Sequence, residues 1–294
     1  MNLELTLTNL TGFLDIDYVA LHLNDSMIIN ELFDVTTDVL NIRSSIISRK
    51  VLYDIINPEL LMKVLKKLVF AADKTYITNL RNEEMLKAIV SHSNFIHFTS
   101  ELRGAAIVKK FYNDIRNTTF CSNSPFFWEQ FGSACIDAKD FDTARQCLET
   151  ALLVAKDIYG FVPFQVETVY ADYLVEDLKA KVAVKVLSKG EILPVIVDAH
   201  TRILKHYNHK ENNHYYVFKV GAKLADVFLE NKECFDTREL SILIEKMVML
   251  NKKFQEYQKS SESAFYPNIN IWGKKIDECI AEAIQSLKAA TKSK

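Results

Sequence analysis

The residues with the strongest claim to chemistry in this 294-residue chain are three histidines, His206, His209 and His214, held within nine positions. Imidazoles three apart on a helix can point to one side, which is what a tetrahedral metal site needs. The residues between them, Tyr207-Asn208 and Lys210-Glu211-Asn212-Asn213, instead have the composition of an exposed interhelical connection. Loop histidines are therefore expected. The five cysteines, Cys121, Cys135, Cys147, Cys234 and Cys279, are odd in number and widely spaced, with no CxxC pair. That fits neither a disulfide framework nor a zinc site, and it suits a reducing, cytoplasmic setting. A cysteine nucleophile needs a partnered base, whereas Cys135 and Cys147 fall where small apolar side chains pack between helices. No GxSxG, HExxH or dinucleotide fingerprint occurs, and none of the seven glycines sits in a GxxxxGK[ST] loop. No catalytic, cofactor-binding or metal-binding residue is assigned, and the chain is read as non-catalytic.

Such a chain must still fold around something. Hydrophobic residues make up 49% and charged residues 25%, the balance of a packed globular protein. Only seven glycines and five prolines punctuate it, which points to long helices and an all-α fold. A net charge of −2 gives no global field toward nucleic acid or an anionic membrane, although local patches stay open. The first 24 residues carry Glu4, Asp15 and Asp17 where a secretion signal needs uninterrupted apolar residues. Charges recur inside every apolar segment, so no membrane span is expected.

Along the chain, Leu32-Phe33-Asp34-Val35 and Val39-Leu40-Asn41-Ile42 flank a polar Thr36-Thr37-Asp38 turn and read as a short β-hairpin. Ser44 or Ser45 is placed to cap a following helix through Ile46, Val51 and Ile55. Asn57-Pro58-Glu59 starts a helix to about Ala72, with a stripe of Leu60, Leu61, Val64, Leu65 and Leu68 expected inward and Lys63, Lys66 and Lys67 on the solvated side. Helices are expected near 83–91 and 104–116, and Cys121–Pro125 is read as a boundary loop. Further helices are expected near 164–178, 191–207, 214–229, 237–258 and 268–287. The expected division is 1–43, 44–120 and 121–294.

Pro125 to Lys156 reads as a helical hairpin, with Trp128, Phe131, Gly132 and Cys135 on its first helix and Ala144, Leu148 and Ala151 on its second. A bulky residue, a small residue one turn on and small residues opposite let two helices approach closely. This pattern resembles a tetratricopeptide repeat, with Lys156 standing where that family closes on proline. One such unit cannot bury its own faces, which implies stacked neighbours and an irregular α-solenoid over 121–294. Taken with Asn41-Ile42-Arg43-Ser44-Ser45-Ile46-Ile47, Ser124-Pro125-Phe126-Phe127-Trp128-Glu129-Gln130-Phe131 and His214-Tyr215-Tyr216-Val217-Phe218-Lys219-Val220, the chain resembles the C-terminal regions of bacterial STAND-type P-loop NTPases and related antiphage defence proteins. The resemblance implies a winged-helix remnant around the β-hairpin, a helical sensor array after it, and a detached C-terminal region or stand-alone sensor. Two functions follow. The first is a protein-interaction or sensor scaffold with a protein or peptide partner. The alternative is a nucleic-acid-binding helical protein using the lysines of 63–67 on phosphates. Oligomeric state is not specified by any of these residues.

Overall fold

In a computed structural model, residues 5–6, 33–36, 39–42, 57–74, 80–99, 101–184, 190–260 and 268–292 are described. The chain separates into two compact units, 1–139 and 140–294. Apart from three short strands, the described structure is helical, and among the described residues no helix is long and apolar enough to cross a membrane.

In the first unit, strands β1 (Leu5–Thr6), β2 (Phe33–Thr36) and β3 (Val39–Ile42) form an antiparallel patch in the order β1-β3-β2. Phe33 lies opposite Ile42 and Thr36 opposite Val39, the pairing that the polar turn called for. The helix expected after Ser44 lies outside the described residues. Helix α1 (Pro58–Asp73) begins as its sequence dictates, with the Asn57 side chain accepting from the Glu59 and Leu60 amides and Pro58 supplying a pre-set φ. Its buried face differs from the expected stripe. Met62, Val69 and Ala72 are buried, whereas Leu60 and Val64 are 57% and 48% exposed. Apolar residues cover more than half the circumference of this helix, so periodicity alone did not single out the side that meets its neighbours. Lys63 and Lys67 are exposed, and Lys66 is instead paired with Asp114 at 2.9 Å.

Helices α2 (Leu80–Val90), α3 (Ile96–Thr99), α4 (Leu102–Ile115), α5 (Thr119–Asn123) and α6 (Pro125–Asp137) complete this unit. The expected Cys121–Pro125 loop is the short helix α5 running into α6, because Thr118 caps the one and Ser124 the other. The chain divides at 139/140 where the sequence had suggested 121, because α6 packs onto α2, α4 and α5. An aromatic centre made of Phe95, Phe111, Tyr112, Phe127 and Phe131 holds these helices, with the Tyr112 and Phe131 rings stacked at 5.7 Å. Edge and offset ring contacts of this kind add to the burial of apolar area. Gly104 of α4 allows the closest approach: a Cβ there would run into the carbonyl oxygen of Phe98.

The second unit is α7 (Phe141–Lys156), α8 (Phe164–Ala183), α9 (Ile192–Lys205), α10 (His214–Asn231), α11 (Thr237–Gln258) and α12 (Ile269–Lys292). The two helices read from Pro125–Lys156 are therefore both present, one in each unit. From α8 onward each helix packs against the next and the next but one. One apolar cluster runs through them: Val175 and Leu178, Ile196 and Ile203, Phe218 and Phe228, Leu243 and Leu250, then Ile276 and Ala283. Small residues set the spacing. Gly221 of α10 lies so close to α11 that a Cβ would sit 2.6 Å from Leu250 Cδ2. Helix α11 is fixed at its start by a capping box in which Asp236 accepts from Arg238 and Glu239 while Glu239 returns a bond to the Asp236 amide.

Gly104→Ala is expected to destabilise the first unit by about 3 kcal/mol, because the obstructing atom is backbone, and Gly221→Ala to cost about 1 kcal/mol, because the Leu250 tip can turn aside. Urea unfolding followed by tryptophan fluorescence and circular dichroism measures both. Equal costs would contradict the packing described.

Candidate functional site

Buried polar groups are where this fold departs from simple apolar packing, and two clusters stand out, one in each unit. In the second unit Glu167, on α8, is only 2% exposed. Both of its carboxylate oxygens are engaged from α9: Arg202 Nη1 donates to Oε2 at 2.7 Å and Lys205 Nζ to Oε1 at 2.6 Å. Arg202 also bonds Asp198 at 3.1 Å and sits over the Tyr170 ring at 3.9 Å from its centroid, so its guanidinium is held by three partners. A carboxylate out of water costs several kcal/mol unless it is paired and hydrogen-bonded, and here it is both. The cluster ties two helices together. Its groups satisfy one another, which is the arrangement of a structural tie.

In the first unit three side chains converge on the turn between α2 and α3. Tyr112 of α4 donates to the Val90 carbonyl at 2.6 Å, Gln130 of α6 accepts the His92 amide at 2.6 Å, and Asp137 of α6 pairs with His92 Nε2 at 2.9 Å. Behind them Glu129, 6% exposed, accepts from Gln130 Nε2 at 2.8 Å. Burial pushes the Glu129 carboxyl up to about 7, the Gln130 bond only partly offsetting it. Asp137 behaves oppositely. Burial raises it, but hydrogen bonds from His92 and Thr99 outweigh this and hold it below the ordinary carboxylate range.

The three histidines of 206–214 do not converge on a common point. His206 caps the end of α9, and its carbonyl accepts from Asn212 Nδ2 at 3.0 Å. His209 stacks on Phe164 at 5.0 Å and accepts from the Glu211 amide. His214 opens α10, bonds the Tyr207 carbonyl at 2.8 Å and packs among Tyr207 and Tyr257. Among the described residues no group of three His, Cys, Asp or Glu side chains could hold a metal ion. Cys135 and Cys147 are buried, as their positions suggested. Burial also pushes the Cys121 thiol up to about 12, which removes its nucleophilic form near neutrality.

The surface has its own feature. After α7 the chain turns through Ile158-Tyr159-Gly160-Phe161, with Gly160 at φ 75°, a backbone conformation that glycine adopts freely. Tyr159 is fully exposed at 105%, and Leu153, Ile158 and Phe161 are 61%, 40% and 41% exposed. Tyr216 of α10 and Ile271 of α12 are likewise about half exposed, at 51% and 56%.

The sequence reading missed Glu167, Glu129 and this turn. A glutamate set between Trp128 and Gln130 in an aromatic run was a visible signal. Glu167 had none, because its partners lie 35 and 38 positions away. Comparison with protein-family models, with curated proteins and with solved structures gives no match for this chain.

Removing Arg202 leaves Glu167 charged and half-paired in the interior, so Arg202→Ala is expected to cost about 2 to 3 kcal/mol, whereas Lys205→Ala, at a more exposed position, should cost under about 1 kcal/mol. Chemical denaturation ranks the two, and the reverse order would contradict the assignment. A second expectation concerns His200 of α9, 2% exposed, which burial and nearby Lys246 push down to about 4. The unfolded chain takes up that proton near the ordinary histidine pKa and the folded chain only near 4, so stability is lost as pH falls through this window. His200→Leu should flatten the acid limb of the melting temperature against pH. An unchanged acid limb would show that another group carries it.

Proposed function

We propose that this protein is a protein-interaction or sensor scaffold, with its helical second unit presenting a surface to a protein or peptide partner. The observation that carries the reading is the turn at Ile158–Phe161, where a fully exposed Tyr159 stands with Leu153 and Phe161 in water. Exposed aromatic side chains clustered on a rigid support are what protein interfaces use as anchors, because tyrosine brings large contact area at small entropic cost. The stepwise packing from α8 to α12 supports an α-solenoid of irregular hairpins, a build that offers extended binding faces. Together with the strand patch and the quoted motifs, it is in keeping with the helical sensor region of a STAND-type defence protein. The buried polar clusters are in keeping with a non-catalytic role, since their groups are spent on one another.

A nucleic-acid-binding reading draws on Lys63 and Lys67, which are exposed on α1. Lys66, the third lysine of that set, is occupied by Asp114, and this weakens the reading.

Tagged full-length protein recovered from its host, with and without nuclease, separates the two. A stoichiometric, nuclease-resistant protein is expected, with affinity lowered about 30-fold or more by the pair Tyr159→Ser and Phe161→Ser, the loss typical of anchoring aromatics. Recovery of nucleic acid alone, reduced by Lys63→Glu with Lys67→Glu and not by the turn variants, would replace the first reading by the second.

A further inference from the structure

Glu129 is a carboxyl group buried in an aromatic interior, and among the described residues its hydrogen-bonded partner is the neutral amide of Gln130. That amide has two ends. Its Nε2 donates to Glu129 and its Oε1 accepts from the His92 backbone, so one side chain links the buried acid to the turn between α2 and α3. The same turn is held from α4 by Tyr112 on the Val90 carbonyl and from α6 by Asp137 on the His92 ring. The ionisable group that senses Glu129 directly is Tyr112 of α4, which in turn lies among Cys121 of α5 and Cys135 and Asp137 of α6, and Asp137 is the group paired with His92. Helix α2, which also packs on α6, contributes the uncharged Asn82 to the buried set. The His92 ring is engaged by Asp137 at 2.9 Å.

We infer that Glu129, Gln130 and His92 form a proton-controlled latch that keeps the α2–α3 turn closed on α6 while Glu129 is protonated and releases it when Glu129 ionises. A neutral carboxylic acid rests in an apolar setting at modest cost. A carboxylate whose bonded partner among the described residues is a neutral amide does not, and it gains by turning toward water. Gln130 bonds directly to that carboxyl group, so the movement draws the amide off the His92 N–H and frees the turn. The sign follows from burial. Glu129 holds its proton in the folded protein to about 7, against 4.5 for an ordinary glutamate, so the latch is intact at acidic pH and is lost as pH rises through neutrality. Asp137 is held below the ordinary carboxylate range and does not depend on Gln130 for its contact with the His92 ring, which confines the release to the backbone contact. The turn whose backbone contact is loosened leads into α3, where Ile96 is already 56% exposed. The latch thus governs how firmly an apolar surface segment is held.

Amide hydrogen exchange on the full chain tests this, followed over the peptide that spans 88–99 at about pH 5.5 and about pH 8.5 and corrected for intrinsic exchange. Protection of the His92 amide is expected to drop about tenfold or more at the higher pH in the natural protein and to stay constant in Glu129→Gln, which keeps the shape and removes the charge. Asp137→Asn, which retains Glu129, is expected to lower protection at both pH values and to keep the drop between them. An equal drop in Glu129→Gln would overturn the latch. Constant protection in the natural protein would overturn it as well, and that measurement needs no variant to fold.

Discussion

Glu167 can occupy the interior only because Arg202 and Lys205 bind its two oxygens, and this one requirement fixes how α8 and α9 face each other. The three residues must lie on opposed sides of two neighbouring helices, which sets the rotation of each about its own axis. The apolar residues then follow. Val175 and Leu178 on α8 and Ile196 and Ile203 on α9 point into the common core, and α10 packs against both helices. Gly221 and the capping box at Asp236 carry the same discipline to α11, the first by allowing close contact and the second by fixing where the helix begins.

The two units treat a buried glutamate in opposite ways. Glu167 is neutralised by cations from a neighbouring helix and remains a carboxylate tie. Glu129 has an amide where Glu167 has two cations, and it is neutralised by a proton. An ion pair of the first kind holds over the whole range in which its acid stays charged, whereas a proton is surrendered as pH rises. The same residue type therefore makes an ion-paired tie in one unit and a proton-dependent latch in the other, and what decides between them is the charge of the side chain that reaches the carboxyl.

Helix positions were legible because local chemistry set them. Asn57-Pro58-Glu59 placed the start of α1 through a cap that needs no distant partner, and the starts of α6 and α11 rest on equally local caps, Ser124 and Asp236, that the sequence reading did not name. The inward face of α1 was not legible, since Leu60, Leu61, Met62, Val64 and Leu65 offer several equivalent stripes and the choice belongs to α2 and α4. The division at 139/140 was hidden for a related reason. The pattern from Trp128 to Ala151 reads as one hairpin, and the affinity of α6 for the aromatic centre around Tyr112 is a tertiary property. The clasp at Val90 and His92 depends on partners 22 to 45 positions away and left only the glutamate within the aromatic run as a trace.

The exposed turn at Ile158–Phe161 is one of the places where the chain leaves large apolar groups in water, with Tyr159 the most exposed of them among the described residues, and the proposed function stands on it. A photo-reactive phenylalanine analogue placed at Tyr159 reads that surface directly, with the same group at exposed Gln255 of α11 as the control. Illumination in the host is expected to give one discrete protein adduct from position 159 and none from position 255. No adduct at 159, or the same adducts from both positions, would contradict the assignment of this turn as the recognition surface.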